Sequence, residues 1–304
     1  MKVQAITPRG YCSGVINAIT IVKKSAKSPK PIYILGRIVH NQYIVDALTS
    51  MGIITVDEPG STRLALLDKI DHGTVIITAH GASDAVFEKA KKKGLTIVDA
   101  TCPDVIVSHN TIRNYLRQGY HILYIGKQGH PEAEGAISIC PSKIHMICNK
   151  KDIDRLADNH KYVITNQTTM SLYNVYDICE YAKEKLSNLK ISKETCQATR
   201  VRQEAIATID PLVDIVFIIG DTHSNNTQKL ADIAKTSTNG KVIAITCIDD
   251  IDISLLKNCH YVAVSSGAST PTYLTNQVIA YLRQFDPIDP KTHIKPTIEM
   301  SKIL

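Results

Sequence analysis

Short β-branched runs alternate with amphipathic stretches along almost the whole chain, and this alternation limits the fold more than any other feature. The runs Val3–Ile6, Ile32–Leu35, Thr74–Thr78, Thr96–Asp99, Ile122–Ile125, Tyr162–Thr165, Asp214–Ile219, Val242–Ile245 and Tyr261–Val264 have the length and residue types of strands. Between them Val15–Lys27, Asp84–Lys93, Val105–Gln118, Leu172–Leu186, Asn226–Thr236 and Thr272–Arg283 carry helical periodicity. Such a chain is expected to be α/β, with mainly parallel sheets and crossover helices. Binding groups in these sheets collect on loops leaving the carboxyl ends of strands. The polar residues in those loops therefore carry the functional argument.

Three of those loops hold cysteines at a nearly constant interval. Cys12 and Cys102 are 90 residues apart, and Cys102 and Cys196 are 94 apart. Counting 28 residues on from each reaches His40, His130 and Ser224. A second set, His80, Thr168 and Ser269, follows the same cysteines by 68, 66 and 73 residues. The period is too long for a solenoid. It predicts three similar α/β units arranged as a pseudo-threefold trefoil with strand ends pointing inward. The expected units are 14–96, 97–193 and 194–281, the last taking in 1–13. Residues 282–304 form a C-terminal tail expected to close over the site.

Eight cysteines in 304 residues need a reason other than disulfides. The start, Met1–Ile6 running into Pro8-Arg9-Gly10, is too short for a signal-peptide core, and the cytoplasm is the expected compartment. Buried core cysteine is the ordinary reading of a lone thiol. The shared offset and the Gly/Pro/Thr-rich turns favour convergence of Cys12, Cys102 and Cys196 on one metal centre. Thiolates select zinc, copper(I) or iron–sulfur clusters. A cluster held by three cysteines rather than the usual four leaves one iron open to a substrate. Cys140, Cys148, Cys179, Cys247 and Cys259 match no offset and are expected to be structural.

The remaining loop residues point to an anion. His40, His80, Ser224, Asn226 and Ser269 offer neutral or cationic donors, mostly just ahead of helix N-termini, which favour phosphate. Each alone has a structural explanation, such as an N-cap for Ser224 or Ser269. Together they resemble a diphosphate cradle. Glu132, in Gly129-His130-Pro131-Glu132, is a candidate proton donor with His130 and Thr168 to orient it. Glu134 reads as a first-turn glutamate favoured by the helix dipole. The charge of +6 lies largely in two lysine clusters, Lys23–Lys30 and Lys89–Lys93, which read as solvated helix faces. Neither is interleaved with aromatics, so nucleic-acid binding is not expected. No apolar run reaches a membrane span, and no dinucleotide or P-loop glycine motif is present. Electrons, if the reaction needs them, come from a separate protein.

With these anchors in view, the chain resembles the 4-hydroxy-3-methylbut-2-enyl diphosphate reductase family over essentially its whole length. The resemblance rests on Pro8-Arg9-Gly10-Tyr11-Cys12-Ser13-Gly14-Val15, Val39-His40-Asn41, Ala79-His80-Gly81, Asp99-Ala100-Thr101-Cys102-Pro103 and Gly129-His130-Pro131-Glu132. It continues through Gln167-Thr168-Thr169, Cys196-Gln197-Ala198-Thr199-Arg200-Val201-Arg202-Gln203-Glu204 and Ser266-Gly267-Ala268-Ser269. It implies one 4Fe–4S cluster per chain on Cys12, Cys102 and Cys196. It also implies a two-electron, two-proton reductive dehydroxylation giving isopentenyl and dimethylallyl diphosphate, with the substrate hydroxyl at the open iron. Glu132, His130 and Thr168 would serve proton delivery. His40, His80, His130, Thr168, Ser224, Asn225, Asn226 and Ser269 would bind substrate. An external donor such as ferredoxin or flavodoxin would supply electrons. The family often has Ser-Ser-Asn where this chain has Ser224-Asn225-Asn226, so one diphosphate contact is expected to differ. An iron–sulfur hydro-lyase, acting without reductant, and a non-catalytic zinc module are the competing readings.

Overall fold

The computed structural model describes residues 1–192 and 195–304. The expected boundary between the second and third units falls on Lys193 and Glu194, which lie outside the described residues. The chain opens with β1 (Lys2–Ala5) and α1 (Ser13–Lys24). There follow β2 (Ile32–Leu35), α2 (Gln42–Ser50), β3 (Ile53–Val56), α3 (Arg63–Leu66), β4 (Thr74–Ile77), α4 (Asp84–Lys92) and β5 (Thr96–Asp99). The same sequence of elements then recurs: α5 (Pro103–Arg117), β6 (His121–Ile125), α6 (Pro131–Ser138), β7 (Ile144–Ile147), α7 (Lys150–Ile153), β8 (Tyr162–Asn166), α8 (Leu172–Lys185) and β9 (Leu189–Ile191). The third round is α9 (Gln197–Ala207), β10 (Ile215–Ile219), α10 (Asn225–Ser237), β11 (Lys241–Ile245), β12 (Tyr261–Ser266) and α11 (Thr272–Gln284).

Two compact units result, one of Ile16–Val39 with Met51–Cys196 and the other of Met1–Val15, His40–Ser50 and Gln197–Leu304. The first contains two parallel four-stranded sheets, ordered β3-β2-β4-β5 and β7-β6-β8-β9. Their inner strands are nearly continuous apolar runs, as parallel strands covered on both faces must be. Every residue of β4 and of β8 is buried. Tyr162 packs with Leu123, Ile164, Ile178 and Ala182 on one face of the second sheet. Tyr124 packs with Ile112, Ala133 and Val163 on the other, under α5 and α6.

The second unit holds one parallel sheet, ordered β1-β12-β10-β11. β1, from the start of the chain, takes the edge position that β5 and β9 take in the other two sheets. Helix α11 covers β1 and β12 through Val278, Ile279 and Leu282, while α10 covers the opposite face through Leu230 and Ala234. The tail is fastened within this unit. Tyr11 Oη donates to the Ile303 carbonyl at 2.6 Å, and the Ile303 side chain is buried. Among the described residues no helix is long and apolar enough to cross a membrane.

Candidate functional site

The three cysteines occupy one structural position repeated in three sheets. Each stands on the loop after the edge strand, β1, β5 or β9, immediately ahead of α1, α5 or α9. Each backbone N–H donates to the loop leaving the neighbouring strand. Cys12 reaches the Ala268 carbonyl at 3.0 Å, Cys102 the Ala79 carbonyl at 3.0 Å and Cys196 the Thr168 carbonyl at 3.2 Å. Those acceptor loops carry Ser269, His80 and Thr168. The sequence offsets thus reflect a main-chain bond made the same way in each sheet. All three thiols are partly buried, no disulfide joins the eight cysteines, and each of the three sits at a helix N-terminus, where negative charge is favoured. Gly10, two residues before Cys12, has φ +73°, a left-handed turn that a side chain there would strain. Its N–H donates to Ser266 Oγ at 2.7 Å.

Within the first unit the structure assembles His80, His130, Glu132 and Thr168. Gly129, at φ +75°, turns the chain so that His130 caps α6, its Nδ1 accepting the Glu132 N–H at 3.2 Å. His80 stands edge-on to His130 with ring centroids 5.3 Å apart. The Glu132 carboxyl is 2 % exposed. One of its oxygens accepts the Thr168 N–H at 2.7 Å and the other the Thr168 hydroxyl at 2.9 Å. Burial pushes its pKa up from 4.5 to about 7; the Thr168 bonds and the neighbouring Tyr124 phenol oppose the rise, and the Asp104 charge adds to it. The net preference for the protonated form is about 3 kcal/mol relative to a solvated glutamate. Burial therefore outweighs two good hydrogen bonds, leaving an acid about half protonated near neutral pH.

The second unit assembles the other set. Ser224 caps α10, its Oγ accepting from the Thr227 N–H. Ser269 Oγ lies 3.4 Å from Ser224 Oγ and 3.2 Å from the His40 carbonyl, to which it donates. Asn226 accepts the Ala268 N–H at 3.0 Å, which links α10 to the loop bonded by Cys12. Asn225 is buried at the first position of α10. The arrangement is a cluster of hydroxyls and amides at the start of a 13-residue helix, a place suited to an anion.

Several neighbours of these groups were not singled out by sequence reasoning. Arg202, 4 % exposed, donates to the Gly10 carbonyl and to the Ala198 carbonyl, both at 2.8 Å. It thereby ties the loop of Cys12 to the first turn of α9; it lay inside the quoted Cys196–Glu204 segment but without a role. Tyr124 and Asp104 had no signal beyond strand alternation and a helix start. Of the cysteines expected to be structural, Cys179, Cys247 and Cys259 are buried and Cys140 partly so, whereas Cys148 is exposed at a bend after β7.

Comparison with known proteins gives a consistent result. Residues 3–283 match the family model described as LytB protein. The 4-hydroxy-3-methylbut-2-enyl diphosphate reductase of a Geobacillus species is 48 % identical over 296 residues, covering 96 % of this chain and 93 % of that one. The enzyme of the same name from Anoxybacillus flavithermus is 45 % identical over 309 residues, covering 100 % and 98 %. Among solved structures, the E-1-hydroxy-2-methyl-but-2-enyl-4-diphosphate reductase of Plasmodium falciparum matches with a TM-score of 0.86 at 31 % identity, over 94 % of this chain and 89 % of that one.

Proposed function

Because the chain belongs to the LytB protein family, we propose that it reduces (E)-4-hydroxy-3-methylbut-2-enyl diphosphate to isopentenyl and dimethylallyl diphosphate. The reaction is a two-electron, two-proton loss of the hydroxyl in isoprenoid precursor synthesis. The observation that carries the reading is Glu132, a buried carboxyl held by Thr168, with a pKa of about 7. A reductive dehydroxylation consumes protons, and a buried acid poised near neutrality is the group to deliver them.

The donor set fits an iron–sulfur cluster. Cys12, Cys102 and Cys196 are partly buried thiols at three equivalent helix N-termini, outside any disulfide, and thiol ligands of this kind hold iron–sulfur clusters as well as zinc or copper(I). When bound on these three residues, a 4Fe–4S cluster would supply the electrons and a Lewis-acidic iron. The protein's own residues do the rest. Ser224, Asn225, Asn226, Ser269 and His40 supply donors to the diphosphate, with the N-terminus of α10 adding its dipole. His80, His130 and Thr168 complete the substrate contacts, and Thr168 with His130 holds Glu132 in place for proton transfer. With no dinucleotide motif in the sequence, an external carrier such as ferredoxin or flavodoxin delivers the electrons. The cytoplasm is the compartment that fits this chemistry.

An anaerobic turnover assay with a reduced viologen tests the reading. Conversion to both products, dependent on the reductant, is expected. Conversion of a hydroxy acid without reductant would instead identify a hydro-lyase.

A further inference from the structure

His109 is a histidine that the mechanism above leaves unused, seven residues after Cys102 on α5. Its ring lies between two glycines from different elements. A Cβ on Gly135 would come 3.3 Å from its Cε1 and 3.5 Å from its Nε2, and a Cβ on Gly81 would come 3.7 Å from the same Cε1. A side chain at Gly135 would crowd the ring, and one at Gly81 would touch it. Gly135 sits in the interior of α6, where glycine is disfavoured, and the close approach of α5 explains its presence. Both glycines neighbour residues assigned to the reaction above. Gly81 follows His80, and Gly135 stands one helical turn after Glu132 on the same side of α6. Arg113, one turn beyond His109, donates to both oxygens of Asp84 at 2.9 Å, which fastens α5 to the start of α4, the helix that follows the His80 loop. The imidazole itself is suited to filling space. Burial, aided by the Arg113 charge and opposed by Asp84, pushes its pKa down from 6.5 to about 4, so it is neutral at pH 7. Its Nε2 is buried and bonds to no other described residue.

We propose that His109 is a positioning residue: a neutral wedge that sets the distance between the His80 loop and the Glu132 helix. His80 and His130, the cap of that helix, meet edge-on with ring centroids 5.3 Å apart. That contact needs the loop after β4 and the start of α6 held in one relation, and a ring seated against a glycine of each provides it. The inference rests on the reading of Glu132 as proton donor and of His80 as a substrate contact. A small displacement between the two elements lowers turnover without removing either group, because rates fall steeply when reacting groups are misplaced. The ring also borders a cavity of about 130 Å³, lined in addition by Thr101 and Asn110, which leaves room for a slightly broader ring in its place.

The test is a set of variants of the whole reconstituted protein, with iron and sulfide content and melting temperature measured beside anaerobic turnover. Gly135→Ala adds a methyl group against the wedge while improving helix propensity. It should hold or raise the melting temperature and yet lower kcat roughly three- to tenfold, a combination that a role in folding alone does not give. His109→Ala should lower kcat roughly tenfold or more, with KM changed less than about threefold. His109→Phe restores a flat ring without a nitrogen and should keep kcat within about threefold of the parent. In Gly135→Ala/His109→Ala the added methyl faces the space the ring has left, so the loss should be smaller than the product of the two single losses. If His109→Ala fails to assemble, Gly135→Ala and His109→Phe carry the decision. Unchanged kcat in Gly135→Ala, purely multiplicative losses in the double variant, or a His109→Phe as impaired as His109→Ala overturns the wedge. Near-normal turnover by Glu132→Gln would instead remove the proton-donor reading, while the coupling between positions 109 and 135 still decides whether the wedge sets the rate.

Discussion

Thr168 and Ser269 lie on the corresponding loop of their respective sheets, the one whose carbonyl accepts a cysteine N–H from Cys196 or Cys12, yet their surroundings differ in kind. Thr168 meets a buried carboxyl from α6 and spends its N–H and its hydroxyl on it. Ser269 meets the capping hydroxyl of α10 and a main-chain carbonyl. The N-cap residue of the helix that follows β6 or β10 separates these outcomes. His130 introduces a short helix with an acid in its first turn, whereas Ser224 introduces a long helix whose first turn holds two asparagines. Under the proposed function, one repeated backbone arrangement yields a proton-handling region in one case and an anion-binding region in the other. The cysteine loop, whose N–H each of these loops receives, is the part held constant.

The sharpest way to break this comparison is to remove the constant part. Cys196→Ser should lose stable iron and sulfide and, with them, essentially all turnover; full retention in an anaerobic metal and sulfide determination would end the three-ligand assignment. Next in size is the proton-handling region. Glu132→Gln should keep the cluster absorption but lower kcat by about 10²–10⁴-fold, the range expected for a general acid. The anion-binding region should respond in KM rather than kcat. Ser269→Ala is expected to raise KM for the diphosphate roughly tenfold, the worth of one hydrogen bond to a charged group. A fall in kcat alone would move Ser269 out of substrate binding.

The pH dependence separates the two regions further. Glu132 has its pKa raised on folding, from 4.5 to about 7. Its protonated form therefore stabilises the fold fully below about pH 4.5, and that contribution is lost as pH rises to about 7. Glu132→Gln should flatten denaturant-derived stability between these limits by up to about 3 kcal/mol, whereas Ser269→Ala should leave the slope alone. The smallest expected effect is at Asn225, where Asn225→Ser should change KM by no more than about threefold, because a serine at the same helix position still offers a donor. A larger change would make Asn225 a determinant of how this chain holds its anion.

Much of this was legible in the sequence because parallel sheets place function at strand ends. The positions of Cys12, Cys102, His80, Thr168 and Ser269 follow from strand recognition and counting. Their common cause, the cysteine N–H bonded to the adjacent loop, does not, since it joins residues such as Cys12 and Ala268 from opposite ends of the chain. The strands β3, β7 and β9, edge strands of three or four residues without continuous burial, were not among the expected ones, although β1 and β5, of the same kind, were. Tyr124 escaped because its packing with Ala133 comes from α6 lying over β6. Nothing in Ile122–Ile125 distinguishes its side chain from an ordinary buried aromatic. Arg202 belongs to the same class, for its bonds are to carbonyls that any sequence would provide.

The central claim is that three equivalent loops, otherwise unlike in their neighbours, hold one iron–sulfur cluster. The most direct test is to determine iron, zinc and acid-labile sulfide in protein purified and reconstituted without oxygen. The account predicts iron and sulfide near about four each per chain, with no zinc. Stoichiometric zinc without sulfide would contradict it.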